Sequence, residues 1–297
     1  MRRWRKHNRP RKILGVGAST VACEVLRPQP HPFRDFEYTG WEGAASAYAA
    51  TFEHATSLFV PALADAVGAR PGARILDVAC GTGCFAAEVV ARGAAAVAVD
   101  FSPAMIAQGR RLHPRIEFEV ADAEALPLPD AAFDAVGINF GVHHFPFPVR
   151  ALKECLRTLR PGGRLAFTVW ASPHEHALHQ IALTAVRRTV DASATLPLPP
   201  QGEVNSPEVC VQLLQQAGFT RVAAEVRKVA AILDLESVAA LQHLIQAGTV
   251  RLAAVIAAQP MEKRAAILAA IADEAASYRI GTRLAIPVVA LLACATK

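Results

Sequence analysis

The chain has 297 residues, 53% of them hydrophobic and 19% charged, which allows a sizeable buried core and excludes a disordered chain. Its net charge of +5 suggests an acidic partner, yet seven of the 31 Lys and Arg residues crowd into the first twelve positions, leaving 24 basic against 26 acidic side chains elsewhere. An electrostatic case for nucleic acid rests on that tail alone, and no apolar run reaches the ~18 to 20 residues of a membrane-spanning helix.

Residues 1–30, opening MRRWRKHNRPRK, read as a basic flexible extension. The apolar ILGVGASTVAC that follows the charges has the outline of an export signal. Cysteines scattered at 23, 80, 84, 155, 210 and 294 favour a reducing compartment instead, so the expected location is cytoplasmic. One domain is expected over 31–297. It is entered through residues 43–68, where Ala, Tyr, Phe and Leu recur at helical spacing up to Gly68.

Strands and helices then alternate. Apolar runs short enough for buried parallel strands lie at 73–79, 95–100, 116–122, 133–140 and 164–170. Between them fall helices at 84–93, from the Ser102-Pro103 cap onward, and at 148–160, the last broken by Pro161, Gly162 and Gly163. The pattern is that of an α/β fold with a Rossmann-like, mostly parallel sheet and helices on both faces. A first insert, 171–205, ends in TLPLPPQG; a helix opens at Ser206-Pro207, and a sixth strand is expected at 219–229. A second insert, about 235–280, is Ala- and Leu-rich, broken by Gly248 and Pro260, and too ordered for a linker; a seventh strand follows at 286–295.

The stretch DVACGTGCFA at 77–86 joins the first strand to its helix through glycines, so backbone N–H groups can approach a ligand closely. Its GxGxxA spacing alone is a weak nucleotide signal. Asp77 would repel a pyrophosphate but suits a cationic amino group. Asp100, at the end of the second strand, is placed to accept hydrogen bonds from both ribose hydroxyls. Cys80 and Cys84 bracket the glycines without a second ligand pair, so no metal is expected.

Taken in order, LDVACGTGCF, VDFSPAMI, VADAEALPLPDAAFD, NFGVHHF and LRPGGRLAFTVW resemble the motif series of class I S-adenosylmethionine-dependent methyltransferases, over about residues 41–295. The small-molecule type, similar to ubiquinone and menaquinone methyltransferases, fits best, although natural-product O- and N-methylating relatives share the series. The resemblance implies a seven-stranded sheet with its last strand antiparallel, and inserts near the substrate pocket. It implies that Asp77, Ala79, Gly81 and Gly83 hold the methionine portion of S-adenosyl-L-methionine, and that Asp100 binds the ribose. Phe101 and Met105 would lie against the adenine, Asp122 and Ala123 at its edge, and Asn139 and Phe140 near the sulfonium.

Methyl transfer from a sulfonium needs alignment and exclusion of water more than dedicated catalytic groups. Where the acceptor must lose a proton, His143 and His144 after the fourth strand are the candidate bases. Trp41 and Tyr48 are candidates for a covering segment, where an aromatic gains from a cationic ligand. In PHEHALH (173–179) an HExxH reading fails because Leu178 stands where a histidine is required; His176 and His179 are expected on a solvated helix face. The chain lacks the [DNS]PP[YFW] stretch of exocyclic-amine enzymes and the Pro-Cys nucleophile of cytosine C5 enzymes, and it has no basic, aromatic-interleaved stripe outside the tail. The expected acceptor is therefore a small molecule, aromatic, quinone-like or polyketide-like, with no nucleic acid partner. An RNA or protein methyltransferase, a non-catalytic binding module and a dehydrogenase are the alternatives. The sequence is compatible with a homodimer without requiring one.

Overall fold

Short apolar runs that cannot reach helical length build the centre of a parallel sheet: β1 (Arg74–Val78), β2 (Ala95–Asp100), β3 (Glu117–Val120) and β4 (Phe133–Asn139). The computed structural model describes residues 31–190, 199–200, 202–219 and 226–297. The expected basic extension, most of the proline-rich run at 195–202 and residues 220–225 lie outside them. Four longer or later strands complete the sheet: β5 (Leu159–Trp170), β6 (Arg227–Leu235), β7 (Arg279–Ile280) and β8 (Arg283–Thr296). The order is β3-β2-β1-β4-β5-β8-β6, with β7 paired to β8 at the margin. The first five strands are parallel, while β8 runs antiparallel to both β5 and β6.

The helices are α1 (Pro32–Ala50), α2 (Glu53–Ser57), α3 (Val60–Val67), α4 (Cys84–Ala91), α5 (Pro103–Leu112), α6 (Pro148–Thr158), α7 (Ala177–Thr189), α8 (Pro207–Ala217), α9 (Val238–Gly248), α10 (Arg251–Ala257) and α11 (Met261–Glu274). The Ser-Pro starts behave as their chemistry dictates. Ser102 Oγ accepts from Met105 N at 3.1 Å and Ser206 Oγ from Val209 N at 3.4 Å, each satisfying one orphan donor of the helix that follows. α3 stops at Gly68, whose left-handed φ of 69° costs glycine little.

Three departures from the sequence expectations have physical reasons. The first helix begins at Pro32 rather than near residue 43, because His31 Nδ1 accepts from Phe33 N and Pro32 occupies the first turn, where it loses no bond. The two glycines that disguised it are accommodated; a Cβ at Gly40 would collide with Val250, so that glycine lets α1 lie close to the α9–α10 turn. The sixth strand includes Arg227–Leu235 and so runs past the expected end at 229, because its exposed alternate residues break the apolar run; residues 220–225 of the expected span lie outside the described residues. Among the described residues the sheet holds the seven expected strands and one more, the two-residue β7.

The core falls on both faces and at one end of the sheet. α6 and α8 cover one face around Leu152, Phe167 and Leu214, while α3 and α4 cover the other around Leu63, Phe85 and Val89. A separate cluster joins α7, α9 and α11 to the projecting ends of β6 and β8 through Ile181, Leu244, Ile271 and Ile286. It reaches Phe140 and Trp170 at the carboxyl ends of β4 and β5. Among the described residues no single helix is long and apolar enough to cross a membrane. α9 and α10 pass only as a pair, with a 98° bend between them.

Candidate active site

β1 runs into a turn in which Ala79, Gly81 and Gly83 all take positive φ, at 54°, 55° and 93°. Gly81 N donates to Asp100 Oδ2 and Ser102 N to Asp100 Oδ1, both at 2.9 Å. One carboxylate thus fastens the turn after β1 to the turn after β2, and each of its oxygens keeps acceptor capacity for a ligand. Burial pushes the Asp100 carboxyl up to about 6, opposed by those two backbone hydrogen bonds.

Asp77 and Gly83 support this turn from behind and do not line the cavity in front of it. Asp77 is buried, with Ala86 N donating to its Oδ2 at 3.0 Å and its Oδ1 left without a partner. Burial holds its carboxyl well above the usual range. A Cβ at Gly83 would stand 2.6 Å from the Phe118 ring, so the residue is small for packing as well as for its φ.

The other residues singled out in the sequence line one cavity. The space between these residues, open solvent at its mouth included, is about 860 Å³. Phe101, Met105, Ala121 and Ala123 give one apolar wall. Asp122 beside them is engaged by Arg34 of α1 at 2.7 Å, and the same guanidinium reaches Glu124 at 2.7 Å. On the opposite wall Phe140, held at φ 55°, stacks on Trp170 with ring centroids 4.0 Å apart. Asn139 at its base accepts from Thr168 Oγ1 at 2.8 Å and donates to Thr56 O at 3.3 Å, which fixes its amide.

α1 forms the roof. Trp41 meets the rings of Tyr48 and His144 edge-on at 5.5 and 5.1 Å. Tyr48 Oη shares a hydrogen bond of 2.9 Å with Thr56 Oγ1, and burial raises its pKa well above the ordinary phenol value, so it stays protonated. Glu42 Oε1 accepts from Ser102 Oγ at 2.5 Å and Ala104 N at 2.9 Å, tying the roof to the start of α5. Glu37, fully buried, accepts from Trp41 Nε1 at 3.0 Å and pairs with His144 Nδ1 at 2.8 Å. His143 is neutral: burial drives its pKa well down, and its Nδ1 has no partner.

Arg34, Glu37, Glu42, Thr56 and Trp170 were not read from the sequence. The signal for Glu37 was a carboxylate one turn from Trp41 in an aromatic-rich helix; Arg34 and Glu42 carried none, since their partners lie 88 and 60 residues away. The expectation for His176 and His179 is overturned. His176 is wholly buried and stacked on Trp170 at 4.4 Å, and His179 meets the same ring edge-on at 5.9 Å. Burial lowers their pKa values to about 2 and about 4, so both are neutral. Both rings pack against the indole instead, with the two ring nitrogens of His176 left without a partner. Cys80 and Cys84 pack around the turn, and burial pushes both thiols up. Among the described residues no cluster of three or more His, Cys, Asp or Glu side chains is arranged to hold a metal.

A family model described as a methyltransferase domain matches residues 76–167. The chain is 46% identical over 109 residues to a demethylmenaquinone methyltransferase of Beutenbergia cavernae, covering 37% of this chain and 45% of the relative. It is 47% identical over 109 residues to that of Renibacterium salmoninarum, covering 37% and 46%; the match therefore spans somewhat under half the length of these two. With the demethylmenaquinone methyltransferase of Streptomyces griseus it is 32% identical over 213 residues, 67% of this chain and 90% of the relative. Among solved structures, the fold is shared with the YcgJ protein of Bacillus subtilis (TM-score 0.51, 17% identity, 80% of this chain and 97% of that one). It is shared too with an N-methyltransferase of Haemonchus contortus solved with phosphomonomethylethanolamine and S-adenosylhomocysteine (TM-score 0.52, 17% identity, 91% and 62%).

Proposed function

Because the chain belongs to the class I S-adenosylmethionine-dependent methyltransferases, we propose that it methylates a small, largely apolar acceptor of the quinol or phenol type in the cytosol. The observation that carries this is the roofed cavity: strand-end polar groups on one side, stacked aromatics on the other, and α1 closing over both. Such a space suits a flat small molecule. The names of the matched relatives point to a menaquinone precursor as the acceptor.

The residues present fit the cofactor. Asp100 retains acceptor capacity toward ribose hydroxyls, and the turn presents backbone without a side chain at Gly81, which lines the cavity, while Asp77 and Gly83 brace that turn from behind. Asp77, Ala79, Gly81 and Gly83 would hold the methionine portion, Asp77 doing so through the turn it braces. Phe101 and Met105 would pack the adenine, with Asp122 and Ala123 at its edge. Asn139 and Phe140 would bound the reacting end, while Trp41 and Tyr48 exclude water from above. When bound, the cofactor supplies a methyl group on a positively charged sulfur. His143 and His144 stand where a proton leaving the acceptor can be received.

The test is incubation of the full chain with methyl-labelled cofactor and a short-chain demethylmenaquinone reduced to its quinol. Label in the quinol fraction is expected. Label in added RNA or protein but not in the quinol overturns the small-molecule reading, and binding of S-adenosylhomocysteine with no label in any of them makes the chain a binding module.

A further inference from the structure

The geometry points to Glu37 and His144 as a base dyad that exists only while α1 covers the cavity: His144 is the catalytic base, and Glu37 is its positioning residue. This deepens the proposed methyl transfer by defining the acceptor as one that reacts after losing an O–H proton.

Glu37 is fully buried on α1, and no Lys or Arg among the described residues pairs with it. Its Oε2 takes the indole N–H of Trp41 at 3.0 Å and meets His144 Nδ1 at 2.8 Å, while its Oε1 is buried without a partner. A buried carboxylate so placed is costly unless a positive charge appears beside it. His144 is the group that can supply one, and it does so on accepting a proton. The indole can only donate, so an ionised Glu37 receives both bonds, His144 carries its proton on Nδ1, and Nε2 is left with a free lone pair. His144 lines the cavity and is the partly exposed member of the pair, at 24% against 0% for Glu37. The other groups facing it are His143, with its ring 4.1 Å away, the Trp41 ring, and Asp100, which acts on it through charge.

The proton step follows. The acceptor O–H bond breaks, its electron pair stays on the acceptor, and a new N–H bond forms at His144 Nε2. The imidazolium is then balanced by the Glu37 carboxylate, the role an orienting acid plays beside a catalytic histidine elsewhere. In a quinolate that electron pair is shared with a ring carbon, which would form the bond to the methyl carbon as the carbon–sulfur pair returns to sulfur; the ring C–H proton is then lost to restore aromaticity, and both protons pass to solvent. Glu37 and His144 lie 107 residues apart on different elements, so opening α1 disassembles the base and closing it restores the base.

The test joins tautomer and turnover. In ¹⁵N-histidine-labelled full chain saturated with S-adenosylhomocysteine at alkaline pH, His144, assigned by comparison with His144→Gln, is expected as the Nδ1–H tautomer. In Glu37→Gln, whose amide can donate as well as accept, that tautomer is expected to give way to a mixture. With the short-chain quinol, Glu37→Gln should lose about thirtyfold or more in kcat, with KM and the affinity for S-adenosylhomocysteine within about threefold. The double variant with His144→Gln should be no slower than His144→Gln alone. A proton on Nε2 in the wild-type protein, or an unchanged kcat in Glu37→Gln, overturns the dyad. If the quinol is not methylated, the acceptor assignment fails while the tautomer still decides the dyad, and if Glu37→Gln does not fold, Glu37→Asp serves.

Discussion

The floor and the roof of the cavity are built by opposite means. On the floor, backbone N–H groups of two adjacent turns converge on Asp100, from residues 19 and two positions away. On the roof, side chains of α1 reach Ser102, Asp122 and His144 across 60, 88 and 107 residues. A site held by backbone is rigid and keeps its form when a surface side chain is changed. One held by charged side chains from a separate helix can be released as a unit. The floor is thus fixed by the chain's own turns, while the roof depends on side-chain contacts that single substitutions can remove.

Four measurements can break that contrast, from the largest expected effect to the smallest. Asp100→Ala removes the shared acceptor of both turns and should weaken S-adenosylhomocysteine binding by about 100-fold or more, about 3 kcal/mol. Arg34→Ala on the roof should stay within about tenfold, and equal losses in calorimetric titrations would abolish the distinction. Next, Gly137→Ala in β4 drives a Cβ into the buried Phe85 ring and should lower unfolding free energy by about 2–3 kcal/mol. Gly43→Ala on α1 meets nothing within 4 Å and should instead stabilise by about 0.5–1 kcal/mol. Urea titrations of both variants decide whether Gly137 is required for packing while Gly43 is not.

The third measurement concerns pH. Burial raises the Asp100 carboxyl to about 6, so as pH falls through that value it takes a proton and loses an acceptor. Affinity for S-adenosylhomocysteine should fall by about tenfold between pH 7.5 and 5, and a flat profile would remove Asp100 as the ribose anchor. The sign for the free protein is opposite: the folded state binds the extra proton, so this group's contribution to stability is lost as pH rises from about 4 to about 6. Smallest of all, Glu42→Ala removes the roof's bonds to Ser102 Oγ and Ala104 N and should cost about 1 kcal/mol in thermal unfolding, with cofactor affinity nearly unchanged.

The same contrast explains what could be read in advance. The alternating strands, the glycine turn and Asp100 follow from short-range spacing, and the structure places Asp100, Phe101, Met105, Asn139 and Phe140 around one cavity. Arg34 could not be recognised, and Glu37 only through Trp41 one turn away, because a carboxylate or guanidinium on an amphipathic helix reads as solvated until its partner is known. His176 was misread for the same reason: no local pattern signals that Trp170, at the end of β5, will stack on it. The far end of the sixth strand, 230–235, was missed because alternation on a partly exposed strand breaks the apolar run that a sequence reading follows.

One feature of the sheet bears on how such a protein can change. Leu235 at the end of β6 and Leu284 near the start of β8 are direct antiparallel partners, so their Cα atoms stand only ~5 Å apart. Everything between them, α9, α10, α11 and β7, leaves and rejoins the chain at one doorway. A two-residue turn would close that doorway. This helical insert is therefore a replaceable cartridge: none of its residues lines the cavity, so recombination at the doorway could trade it for another that still packs on α1 and α7 without moving β1 to β5.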